Sequence, residues 1–352
     1  MADISRLLLD QVNSARHEGS QLNIVGGGSK AFMGRDVSGS SINVGDHSGI
    51  VSYQPVELVL TARAGTPLSD IEAVLDEQDQ MLAFEPPNYN NRSTLGGTLA
   101  CHLSGPARPW CGSVRDHVLG IRLINGKGEH LRFGGQVMKN VAGYDVSRLQ
   151  AGAMGTLGLI TEVSLKVLPK PAYSLTLVEE MGPDKAIRVM NERAGEPKPL
   201  SAACWLAGRL YLRLSGARSA VEATAQQWSG EPLDEAAAFW RELRDQQLDF
   251  FAGDEPLWRF SVNPTATQPD IGGDWLLDWG GAQRWLRAKG ELEAMELLAA
   301  EAGGQVSLFR GGDRCAEVFH RPPQALVGLQ QRIKTAFDPD VVFNPGRLYS
   351  WM

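Results

Sequence analysis

Glycine falls in separated clusters along the first half of this 352-residue chain. Val25-Gly26-Gly27-Gly28-Ser29-Lys30 ends a short apolar run. Thr94-Leu95-Gly96-Gly97-Thr98 and Leu103-Ser104-Gly105-Pro106 follow, and Gly152-Ala153-Met154-Gly155-Thr156-Leu157-Gly158 comes later. Glycine lets a backbone approach a ligand closely and adopt positive φ. One such loop says little, but three regions spread over half a chain point to a long ligand threaded between backbone turns, and a dinucleotide has that length. On this reading any side chain at Gly27 fills the ligand's path.

The bulk properties set limits. Apolar residues make up 43% of the chain and charged residues 21%, as in ordinary globular domains. A net charge of −7 argues against nucleic acid and anionic membrane surfaces as partners. No apolar run reaches the length of a membrane-spanning helix. Met1-Ala2-Asp3-Ile4-Ser5-Arg6 is not a basic region leading into an apolar one, so a cytoplasmic protein is expected. Cys101, Cys111, Cys204 and Cys315 form no CxxC pair, so neither an iron–sulfur cluster nor a zinc site is expected in this chain. They read as reduced, buried thiols.

Periodicity gives the elements. Leu8, Leu9, Val12 and Ala15 place a helix over residues 5–18, stopped by Gly19. Strands are expected over 21–25, 51–53 and 56–62, and a helix over 67–77 that opens with Pro67. Residues 85–113 carry few periodic apolar positions, and a structureless stretch of that length is usually functional. A hairpin is expected around Asn125-Gly126-Lys127-Gly128, and a strand over 159–167 that closes at Pro169-Lys170-Pro171. That proline pair is the expected boundary between residues 1–171 and 172–320, with 321–352 as a terminal segment. Beyond it, strand-like runs at 201–206, 210–214, 258–262 and 275–278 alternate with helical runs at 217–228, 235–247 and 290–302. This pattern fits an antiparallel sheet with helices on one face, followed by a terminal helix over 323–337.

Four motifs occur in order: GGGSK, STLGG with LSGPARPWCGSVRDHVLG, KNVAGYDVSRLQAGAMGTLGLITEVSLKVLP, and a terminal FDPDVVFNPGRL. Together they resemble the FAD-binding fold of the p-cresol methylhydroxylase and vanillyl-alcohol oxidase superfamily, and within it the flavin subunits of bacterial glycolate oxidase. The resemblance implies an α+β protein. Its PCMH-type FAD-binding fold of two subdomains is followed by a smaller antiparallel cap-like domain, and the C-terminal segment returns to the FAD domain.

The residues support the same ligand independently. Consecutive N–H groups in a glycine turn form an anion-binding nest, with Lys30 as counter-charge for a pyrophosphate. The spacing is not that of a Rossmann loop. The resemblance carries the cofactor contacts to Gly26, Gly27, Gly28, Ser29 and Lys30; to Thr94, Leu95, Gly96 and Gly97; to Ser104, Gly105, Gly112, Ser113 and Arg115; and to Gly155, Gly158 and Ile160 near the adenosine end. Lys139 is placed beside the flavin, where positive charge stabilises the reduced form. Some members of the superfamily attach the flavin through a histidine of the glycine loop. Here that loop holds no histidine, so the resemblance implies non-covalent FAD.

It also implies a 2-hydroxy acid substrate, glycolate above all, and two partners: a larger FAD-containing subunit and a separate iron–sulfur subunit. The complex would be cytoplasmic or held at a membrane through other subunits, without direct insertion. The paired histidines of the larger subunit's metal-binding stretch are missing, so no metal site is expected. Arg310, Asp313, Arg314 and His320 are left as substrate-site candidates, with Arg310 and His320 foremost. The sequence is compatible with three roles: substrate oxidation or electron relay at this chain's flavin, a degenerate scaffold whose tryptophan-rich middle forms a subunit interface, or a stand-alone oxidase.

Overall fold

A computed structural model of the chain describes residues 3–135 and 145–352. The expected helix forms as Ser5–Glu18, burying Leu8, Val12 and Ala15, and Gly19 closes it in the left-handed region at φ 65°. Leu22–Val25 pairs in parallel with Ser40–Asn43. A five-stranded antiparallel sheet runs in the order Ile50–Gln54, Val59–Arg63, Leu159–Lys166, Val118–Ile124, His130–Gly134. Its central strand, Leu159–Lys166, is mostly buried on both faces.

The region 85–113 is not structureless. Leu95–Cys101 is a helix, with Thr94 as its N-cap accepting the Gly97 N–H. The glycine pair therefore lies inside a helix, where a periodicity reading sees only a turn. A Cβ on Gly96 would stand 2.6 Å from that of Ala64, so the glycine is what lets this helix touch the strand end.

The second half forms an eight-stranded antiparallel sheet in the order Glu231–Pro232, Tyr173–Glu180, Arg209–Gly216, Leu200–Leu206, Asp274–Asp278, Gln283–Arg287, Leu257–Ser261, Gln305–Arg310. The α+β class expected from the sequence is the class seen. Helices Pro183–Ala194 and Arg218–Gln227 cover one face at one end, and Leu292–Glu301 covers the same face at the other. Helix Ala236–Asp245 lies on the opposite face, contrary to the expectation of helices on one side only. That face is apolar because it meets the N-terminal half: Met33, Leu103 and Met154 pack with Trp240, Phe251, Trp285 and Phe309.

Side-chain alternation decides what each face carries. In Leu257–Ser261, Trp258 and Phe260 point into the helix-covered core, while Leu257 packs toward the N-terminal half. Arg259 shares the parity of Leu257. Six of the seven tryptophans between residues 205 and 285 are at most 9% exposed. They fill cores, so they do not form the subunit interface that their clustering suggested. Of the thiols, Cys204 is buried, but Cys315 is exposed, contrary to expectation.

The terminal helix, Gln324–Phe337, is followed by a segment that returns to the first strand: Leu22 bridges Phe343, and Gly126 donates its N–H to the Phe337 carbonyl. A buried ion pair fixes this return. Lys334 Nζ, on a residue 5% exposed, donates to Asp338 Oδ2 at 2.7 Å, the Thr156 carbonyl at 2.7 Å and the Phe343 carbonyl at 3.1 Å. Asp338, with no exposure, accepts from the N–H groups of Val342 and Phe343. Removing one member leaves a buried charge without compensation. Lys334→Met should therefore destabilise the fold by about 3–5 kcal/mol in urea unfolding; a loss below about 1 kcal/mol would place the latch's stability elsewhere.

Candidate functional site

A cleft opens at the C-terminal end of strand Leu22–Val25. Its walls come from residues 23–31, from Thr94, Gly96, Gly97, Ala100 and Cys101, and from Met154, Gly155, Gly158, Ile160, Asn344 and Arg347. It holds about 920 Å³ free of protein atoms. Three of the separated glycine clusters thus meet in one place.

The glycines act differently from the sequence-level reading. A Cβ on Gly27 would lie 1.8 Å from the Arg92 carbonyl oxygen, and one on Gly26 would lie 2.8 Å from Thr94 Oγ1. These positions stay glycine so that loop 26–30 can lie against residues 92–94; a side chain at Gly27 strikes protein backbone before it fills any ligand path. Likewise a Cβ on Gly155 would stand 2.6 Å from Asn344 Nδ2. Asn344 is the tie between two walls: its Oδ1 accepts from the Ile24 N–H at 2.8 Å, and its Nδ2 donates to the Met154 carbonyl at 2.6 Å. Its motif was visible in the sequence, but nothing there marked its side chain as a clamp.

The electrostatics of the cleft are those of an anion site. Among the described residues, the main-chain N–H groups from Gly26 to Lys30 have no hydrogen-bond partner. Lys30 is 7% exposed; its ammonium donates only to the hydroxyls of Ser29 at 3.1 Å and Ser93 at 3.0 Å. Burial pulls its pKa below the usual lysine value. Arg347 also lines the cleft, donating to the Ala31 carbonyl and having no ion pair among the described residues. No aspartate or glutamate is among the described residues of the lining. Buried cations persist when something compensates them, and here the described residues supply hydroxyls, a carbonyl and the Tyr89 ring, 5.7 Å from the Lys30 ammonium, but no carboxylate at ion-pair distance. These residues fit an elongated anionic ligand such as a dinucleotide. Cys101 faces the same cleft, with burial holding its thiol pKa up.

The remaining sequence candidates lie elsewhere. Leu95 is in the core. Ser104 and Gly105 line a small void with Arg259 and Asp278. Gly112 and Ser113 lie at a turn where Ser113 bonds Asp116 and His102, and Arg115 is exposed. Lys139 falls outside the described residues. Arg310 donates to Gln246 and lies over the Phe32 ring. Arg314 straps the carbonyls of Gly34, Leu308 and Gly311, and Asp313 accepts from the Cys315 N–H.

His320 does reach a second cavity, which adjoins the cleft and shares Cys101 and Met154 with it. Arg108, Arg259, His102, Trp279, Ser307 and Tyr349 also line it. Burial, with Arg259 and Arg108 nearby, pushes the His102 pKa down to about 4, so its imidazole is neutral at pH 7. Sequence reasoning missed both arginines. The signal for Arg259 was a charge at an inward position of an apolar strand.

Comparison with known proteins fits this geometry. Residues 8–134 match the FAD binding domain family. The chain is 47% identical over 348 residues to the glycolate oxidase subunit GlcE of Escherichia coli (strain K12), covering 99% of this chain and 98% of that protein. A shorter stretch of 97 residues is 39% identical to the glycolate oxidase subunit GlcD of Bacillus subtilis (strain 168), covering 27% of this chain and 21% of that one. Among solved structures, an alkyldihydroxyacetonephosphate synthase superposes with a TM-score of 0.66 at 15% identity, over 98% of this chain and 75% of that chain, and so shares the fold. An FAD-binding domain and end-to-end identity at this level establish that the chain belongs to the family of the glycolate oxidase subunit GlcE.

Proposed function

We propose that this chain is a flavin subunit of a multi-subunit glycolate oxidase or dehydrogenase. It holds FAD non-covalently, takes part in oxidising a 2-hydroxy acid to the 2-oxo acid, and passes electrons to an iron–sulfur subunit beside a larger flavin subunit. The complex is cytoplasmic or membrane-associated through its other subunits; among the described residues no helix is long and apolar enough to cross a membrane. The observation that carries the reading is the cleft, where, among the described residues, unpaired N–H groups and two cations without ion pairs line a space that has no carboxylate in its wall.

Bound FAD would supply a two-electron acceptor. The chain's own residues supply binding and electrostatics. The N–H groups of residues 26–30 offer donors in a row, the arrangement that suits a diphosphate. Lys30 and Arg347 add charge at short range, in surroundings dry enough to strengthen it. Gly155, Gly158 and Ile160 form the far wall, and Asn344 holds that wall at a fixed distance from strand Leu22–Val25. The contact set proposed from the sequence thus narrows, among the described residues, to those that line the cleft, without Leu95, Ser104, Gly105, Gly112, Ser113 and Arg115. Attachment through sulfur would need a thiolate, and burial keeps the Cys101 thiol protonated at neutral pH. An intact, unpaired cradle disfavours the degenerate scaffold, which has no use for it.

Purification of the chain with its native partners, with flavin counted per chain, tests the reading. Near-stoichiometric flavin that is released by denaturation and bleached by anaerobic glycolate is expected; a chain that carries none would contradict it. Two substitutions test the cleft. Gly27→Ala forces loop 26–30 away from Arg92, and flavin content should fall below about a tenth of wild type, since a misplaced donor row loses several hydrogen bonds of about 1 kcal/mol each. Gly28→Ala is the control. Its Cβ meets only the flexible end of Arg92 at 3.3 Å, and its positive φ of 66° costs about 1 kcal/mol, so most flavin should stay bound. Lys30→Met should raise the FAD Kd about 10- to 150-fold, the equivalent of one charged hydrogen bond of about 1.5–3 kcal/mol. An unchanged Kd would show that Lys30 does not touch the ligand.

A further inference from the structure

The cavity beside the cleft has a volume of about 380 Å³ and is lined from both halves of the chain. Its described lining includes two guanidinium groups, two imidazoles and no carboxylate. Arg108 comes from the turn Arg108–Cys111 of the N-terminal half, and Arg259 from strand Leu257–Ser261 of the large sheet. They flank one indole: Arg108 lies 4.4 Å and Arg259 5.2 Å from the ring centroid of Trp279. Trp279 donates its Nε1–H to the Gly105 carbonyl at 2.9 Å, across the junction of the two halves. Neither arginine has an acidic partner at ion-pair distance among the described residues.

Arg259 is held from behind. Its Nε donates to Gln283 Oε1 at 2.7 Å, and Gln283 Nε2 reaches Asp278 Oδ2 at 3.4 Å. Asp278 is fixed in turn by the Trp279 N–H at 2.7 Å. Two terminal nitrogens of Arg259 are left with no hydrogen-bond partner among the described residues, on a side chain that lines the cavity. Burial, and then Arg108, lower its pKa to about 10, with Tyr89 and Asp278 opposing, so it stays charged at neutral pH. Trp279 itself sits at φ 55°, a backbone that bulky residues rarely adopt and that recurs at functional sites.

We infer that Arg259, positioned by Gln283 and Asp278 and assisted by Arg108 across the Trp279 ring, binds the carboxylate of a small organic acid in this cavity. Resting on the flavin reading above, this gives that reading a substrate class and a place: this chain has its own acid-binding cavity next to the cleft and is more than an electron relay. A guanidinium with two free amino groups matches a carboxylate in two-pronged fashion. Asp278 and Gln283 are positioning residues that act through Arg259.

Oxalate, a small dicarboxylate with no oxidisable hydroxyl, is titrated by calorimetry into the full chain, with flavin counted on the same sample. One saturable site per chain is expected. Arg259→Met should weaken it at least about thirtyfold, as loss of a buried charged partner does. Gln283→Leu should weaken it about tenfold through loss of one hydrogen bond to a charge, with flavin content and thermal midpoint unchanged, and Arg259→Lys should fall between these. The absence of saturable binding by wild type below about 10 mM would overturn the inference, as would wild-type affinity in Arg259→Met. If Arg259→Met does not fold, unchanged affinity in both Gln283→Leu and Arg259→Lys overturns it. Wild type that binds oxalate but carries no flavin supports this cavity and counts against the cofactor reading.

Discussion

Lys30 carries a positive charge into the cleft, where its ammonium donates to two serine hydroxyls and lies 5.7 Å from the Tyr89 ring centroid. Around it, five successive main-chain donors are left without acceptors, and a second cation, Arg347, without an ion pair, among the described residues. Lys30 is buried, and proteins rarely keep such a charge out of water without a partner. The rest of the structure is arranged to keep this cradle open. Glycines at 26 and 27 let two loops lie in backbone contact. Asn344 joins the walls, and the Lys334–Asp338 pair anchors the segment that delivers Asn344.

Much of this was legible in the sequence, because glycine and hydrophobic period report local backbone needs. The helix Ser5–Glu18, the hairpin, the strand Leu159–Lys166 and four of the eight strands of the large sheet lie where periodicity puts them. Residues 26–30, 94, 96, 97, 155, 158 and 160 converge because all of them belong to glycine-bearing turns or the strand that follows one. What was not legible depends on parity and long-range contact. Strands Gln283–Arg287 and Gln305–Arg310 carry mixed patterns, since each presents one face to helix-covered core and another to the N-terminal half, and Tyr173–Glu180 has helices on both sides, with Thr176 accepting from Trp240. Gly96 and Gly97 in a helix read as a turn, because the reason for them is Ala64 on a distant strand end.

The same parity explains the second cavity. Along Leu257–Ser261 the aromatic residues face helix-covered core, so Arg259 faces the N-terminal half. Arg310 and Arg314, which stood out in the sequence as a charged run, are spent on backbone carbonyls and a glutamine. Charge density along a chain thus pointed to a structural strap. A single arginine in an apolar strand, held by a glutamine and an aspartate, is the residue left with free donors.

A crystal structure of the chain grown with FAD tests the central claim most directly. The account predicts diphosphate oxygens within hydrogen-bond reach of the N–H groups of residues 26–30 and near Lys30 Nζ, with the ligand extending toward Gly155 and Ile160. Well-ordered FAD seated elsewhere, or those N–H groups satisfied by protein atoms while FAD is bound, would contradict it.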